Sequence, residues 1–128
     1  MKKHFIYTVP GFICFLIIMS SCFHVHDHDI SITTTDDEDE YEMEASYNKH
    51  RSHDVQVYLN DNLINHSRRA FRNNRLNDEI TLDDRTTVYI NSHPGELRIR
   101  INKNENSEES YERVRVVCED LKEILEDN

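Results

Sequence analysis

The sequence predicts an α+β fold: a small antiparallel sheet, formed by a hairpin plus a three-stranded meander, with a C-terminal amphipathic helix packed on one face. Three observations carry this. Tyr41–Tyr47 (YEMEASY) and Glu96–Asn102 (ELRIRIN) alternate apolar and polar residues with the two-residue period of a half-buried strand. His93-Pro94-Gly95-Glu96 reads as a tight turn, because Pro presets φ at its first central position and Gly allows positive φ at the next. Finally, Tyr111, Val114, Cys118, Leu121 and Leu125 recur at spacings of three and four, the apolar stripe of a helix that must be buried.

The elements follow in order along residues 30–127, the expected domain. Ile30–Thr35 (ISITTT) is rich in β-branched residues and reads as a strand. The acidic run Asp36–Glu40 joins it to Tyr41–Tyr47 as a solvated hairpin loop. Ser52 is placed to cap a short helix from His53 to about Leu63, with Val55, Tyr58, Leu59 and Leu63 on one face. A strand over Val55–Leu59 (VQVYL) competes with it, since those residues also alternate; the helix is the preferred reading. Leu63–Leu76 carries many Asn and Arg residues and few apolar anchors, and reads as loop or frayed helix. Beyond it, Ile80 and Leu82 share a face, Asp83-Asp84-Arg85 makes a turn, and Thr86–Asn91 (TTVYIN) is strongly β-forming. With Glu96–Asn102 these complete a meander solvated on one face. Ser107 caps the last helix, and Glu108 and Glu109 occupy its first turn, where the helix dipole favours acids. The meander's apolar face is the obvious partner for the helical stripe.

The N-terminus carries an address. Lys2 and Lys3 precede an apolar core, Phe12–Met19, of signal-peptide length. The wider apolar stretch Phe5–Met19 is broken by Pro10-Gly11 and falls short of the roughly 20 residues a membrane-crossing helix needs. Ordinary secretory cleavage before Cys22 would put the bulky Met19 at a position that prefers a small residue. The segment Ile18-Met19-Ser20-Ser21-Cys22 instead resembles a bacterial lipobox, with Met19 where leucine is usual. That resemblance implies a signal peptide over residues 1–21, a diacylglyceryl group on the Cys22 sulfur, and a tether over residues 22–29. Two or three acyl chains on one residue satisfy the two-signal requirement for stable anchoring. If Cys22 were unmodified, it could pair with Cys118 in an oxidising compartment. If it is lipidated, Cys118 is a lone thiol on the buried stripe, where free cysteine behaves as a small hydrophobe. The second reading is preferred.

Composition narrows the function classes. Losing residues 1–21 leaves 107 of 128 residues and takes the basic count from 15 to 13, against 25 acids, a balance of −12 with histidine neutral. That acidity argues against nucleic acid as a partner. Gly95 becomes the sole glycine, so neither a phosphate-cradling loop nor a nucleophile elbow can be built. No nucleophile–base–orienter set is visible either, and no enzyme is expected.

Three constellations are candidates for binding. His24, His26 and His28 alternate among Asp27 and Asp29, a spacing able to offer imidazoles to a divalent metal from one side of an extended backbone. The competing reading is a polar spacer without the supporting hydrogen bonds of a preformed site. Asp36–Glu40 lacks the spaced ligands and turn glycine of a calcium loop, so a solvated loop is preferred. Arg68, Arg69, Arg72 and Arg75 form a basic cluster in an acidic chain, suited to phosphate or acidic groups, or to pairing with the protein's own acids.

From Asp83 to Leu125 the chain also resembles a group of small uncharacterised lipoproteins of Bacteroidetes-type bacteria. The shared run is Asp83-Asp84, Thr86–Ile90, Pro94-Gly95, Leu97–Ile101, Asn106–Glu112 and Cys118. The resemblance implies a fold and an envelope location but no activity. The expectation is therefore a lipid-anchored envelope protein, held on a membrane (outer membrane, periplasmic or surface face) through Cys22. It would act as a binding or structural accessory module with an envelope protein as partner. The alternative is a metal-binding lipoprotein using His24, His26 and His28.

Overall fold

The computed structural model of the chain describes residues 30–64, 71 and 75–127. β1 (Ser31–Asp36) and β2 (Glu40–Ser46) form the expected hairpin. Its turn is set by the Asp37 carboxylate, which accepts the backbone N–H groups of Asp39 and Glu40, each at 2.8 Å. β3 (Leu76–Thr81), β4 (Thr87–His93) and β5 (Glu96–Asn102) form the meander. β2 then pairs antiparallel with β5 over seven residues, from Glu40 opposite Asn102 to Ser46 opposite Glu96. Hairpin and meander thereby become one five-stranded sheet of order β1-β2-β5-β4-β3.

Alternation now has a physical consequence. Tyr41, Met43 and Ala45 of β2, Leu97, Ile99 and Ile101 of β5, and Val88 and Ile90 of β4 are all buried on one face. Two helices cover that face: α1 (Ser52–Leu59) and α2 (Glu108–Glu126). α2 contributes Val114, Val117, Cys118, Leu121 and Leu125 to the core, and α1 with the following wide turn, Asn60–Ile64, contributes Val55, Leu59, Leu63 and Ile64. Burying a side chain of this size is worth about 1.5–3 kcal/mol each. The Arg51 guanidinium ties the helices together by donating to the Ile124 carbonyl at 2.9 Å, where the end of α2 leaves carbonyls unsatisfied.

Ser107 caps α2 as expected, its Oγ accepting the Ser110 N–H at 3.1 Å. The cap of α1 is different from the expectation. Helical winding begins earlier, with a 3-10 turn over Lys49–Arg51 whose first residue follows Asn48; the Asn48 side chain accepts the His50 N–H at 3.0 Å. Ser52 is thus inside the helical run and buried, and its Oγ accepts the Gly95 N–H at 3.0 Å. An amide side chain upstream outcompeted the serine. β3 also starts earlier than the pattern at Ile80 and Leu82 suggested, because Leu76 is buried at its head.

Gly95 has φ of +85°, the conformation the turn reading required. Its carbonyl accepts the Tyr47 N–H at 2.9 Å, so the β4–β5 turn, the end of β2 and the start of α1 meet at one residue. At the opposite end, Asp36 binds the Lys103 ammonium and the Tyr111 hydroxyl, the latter at 2.6 Å. Lys103 also lies over the Tyr111 ring, 4.3 Å from its centroid. These contacts fasten the β1–β2 turn to the end of β5 and the first turns of α2.

Cys118 is a free thiol, fully buried, its pKa pushed up to about 12 by burial. The Tyr41 hydroxyl lies beside it, buried, and makes no hydrogen bond of normal geometry among the described residues. Burial raises its pKa as well, so both groups stay protonated at neutral pH.

Leu121→Ala should destabilise the protein by about 2–5 kcal/mol in urea titration, a core truncation, whereas Val116→Ala on the same helix, at 47% exposure, should change stability by no more than about 0.5 kcal/mol. Equal losses would place α2 the wrong way round. The Asp36 cluster gives a pH test. The Lys103 ammonium, then the Tyr111 hydroxyl, hold the Asp36 carboxyl below its ordinary value of 3.8. A carboxyl lowered in the folded state adds stability above its unfolded pKa and loses it as pH falls toward the lowered value. The Tm deficit of Asp36→Asn should therefore be present at pH 6 and shrink as pH drops below about 3.8; a deficit unchanged at pH 2.5 would contradict this.

Candidate functional site

The face of the sheet away from the helices is polar throughout, and antiparallel register arranges its side chains in cross-strand rows. One row runs Thr35, Glu42, Arg100, Tyr89, Glu79 across all five strands. The next runs Thr33, Glu44, Arg98, Asn91, Asn77. A shorter one runs Ser31, Ser46, Glu96, His93. Every outward position of β2 is acidic except Ser46, and both arginines of β5 stand opposite those acids. Directly opposed residues on one face interact, and opposite charges there are favourable.

The contacts follow from that register. Arg98 pairs with Glu44, and Arg100 lies 3.8 Å from Glu40 and 3.9 Å from Glu42. Arg100 also stacks over the Tyr89 ring, 4.7 Å from its centroid, while the Tyr89 hydroxyl donates to Asn77 at 2.9 Å. His93 pairs with Glu96 across the turn at 3.0 Å. Near this end Thr33, Glu44, Asn91, His93 and Arg98 line an open hollow of about 350 Å³. Its hydroxyl, amide, carboxylate and guanidinium groups can donate and accept hydrogen bonds. Arg98 and Glu44 are both about half exposed, so their attraction is screened by solvent. The face is suited to binding polar groups.

The residues singled out from the sequence are placed unevenly. Cys22, His24, His26 and His28 lie outside the described residues, as do Arg68, Arg69 and Arg72. Arg75 is exposed immediately before β3. Among the described residues no three His, Cys, Asp or Glu side chains are grouped to hold a metal, and no helix is long and apolar enough to cross a membrane. The polar rows were missed because strand pairing is not local. A signal was available: outward acids on one strand and outward arginines on another ask to be neighbours.

Comparison with known proteins finds no match among family models, curated proteins or solved structures.

A double-mutant cycle of Glu44→Gln and Arg98→Gln should return a coupling of about 0.2–1 kcal/mol in low salt, shrinking as ionic strength rises and the Debye length falls below about 8 Å. Zero coupling at low salt would show that the row contributes nothing.

Proposed function

We infer that this is a lipid-anchored envelope protein, its α+β domain serving as a binding or structural accessory module beside a membrane. The observation that carries the reading is Ile18-Met19-Ser20-Ser21-Cys22, which closes the apolar core Phe12–Met19 that two lysines precede. The thiol at Cys22 supplies the nucleophile for lipid attachment, and acyl chains add about 0.8 kcal/mol per buried methylene. Ile30 lies eight positions beyond Cys22, a reach of at most about 28 Å, so the domain stays close to the bilayer. The polar rows of the outer sheet face support the binding half of the reading. They offer hydrogen-bonding and charged groups at fixed spacing, on rigid strands.

The test is metabolic labelling with an alkyne fatty acid in a bacterium that processes lipoproteins, with intact-mass measurement of the product. The expected product begins at Cys22, carries diacylglyceryl mass and partitions into detergent; Cys22→Ser loses the label. A labelled Cys22→Ser chain, or parent protein retaining residues 1–21, would refute the anchor.

A further inference from the structure

We propose that two copies of this chain pair through β1, antiparallel about a two-fold axis at Thr33, extending the sheet across the dimer. β1 is an edge strand whose outer side pairs with nothing among the described residues, and it is exposed at every position but Ile32. An open edge is a template for another strand, and proteins commonly block it with charge, proline or a bulge. The other edge is blocked in this way: β3 carries adjacent acids, Asp78 and Glu79, the first on the core-facing side. β1 is not blocked. Ser31–Thr35 holds no charge, no proline and no glycine, in a chain of net charge −10.

The strand's pattern selects its own copy and one register. A two-fold axis perpendicular to the sheet keeps faces matched, so it must pass through a residue and not between two. Centred on Thr33, it sets Ser31 against Thr35 and Ile32 against Thr34 of the other copy. Hydroxyl side chains meet on the outer face, and Ile32, which packs against the core edge, gains a β-branched neighbour. All charges fall outside the paired window. The two acidic turns at Asp36–Glu40 lie at opposite ends of the interface, which minimises repulsion between acidic chains. Centring on Thr34 would instead press Asp36 against Ile32, although Asp36 is committed to Lys103 and Tyr111. The interface is isologous, and main-chain hydrogen bonds supply its attraction.

Directly opposed residues of an antiparallel pair lie within disulfide reach. The full chain, expressed with its leader and extracted in detergent, is oxidised after single substitutions. Thr33→Cys should cross-link to a dimer about tenfold faster than Ser31→Cys or Thr35→Cys alone, and mixing those two should restore fast cross-linking between them. Thr33→Lys, which sets like charges face to face, should shift the parent from dimer to monomer in sedimentation equilibrium without changing its circular dichroism. A monomeric parent, or equal rates for Thr33→Cys and Ser31→Cys, overturns the proposal; an edge reserved for another protein's strand would give that result.

Discussion

The pairing of β2 with β5 is the constraint on which the rest depends. A lone two-stranded hairpin is marginal in water, and among the described residues β1–β2 has no other neighbour in the sheet. Docking β2 onto β5 brings Tyr41, Met43 and Ala45 onto the same surface as Leu97, Ile99 and Ile101, so one core forms where two incomplete ones would otherwise stand. The same seven-residue register sets Glu42 and Glu44 against Arg100 and Arg98 outside. A slip of one residue would turn Met43 to solvent and Glu44 into the core, and burying an unpaired carboxylate costs several kcal/mol. Apolar and charged sides therefore specify one alignment together.

Two local devices hold that alignment at its ends. At one, Gly95 stands where no side chain fits easily: an added Cβ would sit 3.1 Å from the Tyr47 carbonyl oxygen, and φ is already positive. The close approach lets its backbone serve β2 and α1 at once through Tyr47 and Ser52. At the other, Asp36, Lys103 and Tyr111 join three elements through one carboxylate, and Tyr111 meets Tyr41 edge-on with ring centroids 5.9 Å apart. Asn106 adds a stitch between strands, accepting the Thr87 N–H at 2.8 Å and donating to the Asn102 carbonyl at 2.8 Å.

Much of this was legible because its causes are local. The period of two in Leu97, Ile99 and Ile101, the stripe from Val114 to Leu125, the Pro94-Gly95 turn and the Ser107 cap are each decided within a few residues. So was the helix at Val55–Leu59 against its rival strand. What escaped depends on distance or on competition. The β2–β5 register joins residues 50 to 62 positions apart, and periodicity carries no information about which strands are neighbours. Ser52 stands before the helical stripe as a cap would, and nothing local shows that its hydroxyl is taken by Gly95 while Asn48 caps the turn upstream. The outer rows of charge were hidden for the first reason. The tract from Cys22 to His28 is readable as chemistry but falls outside the described residues, and Arg75 of the arginine cluster stands by itself among them.

The order in which the chain is made has a consequence for its fate. α2 supplies the cover for Ile99, Ile101 and Met43, yet it follows all five strands in chain order. Until it arrives, the strands have an oily side with little to shelter it, and any closed structure is incomplete. A nascent chain of this kind stays incompletely packed until its strands and α2 have all been made. Truncation within α2 is therefore a lesion of the entire core.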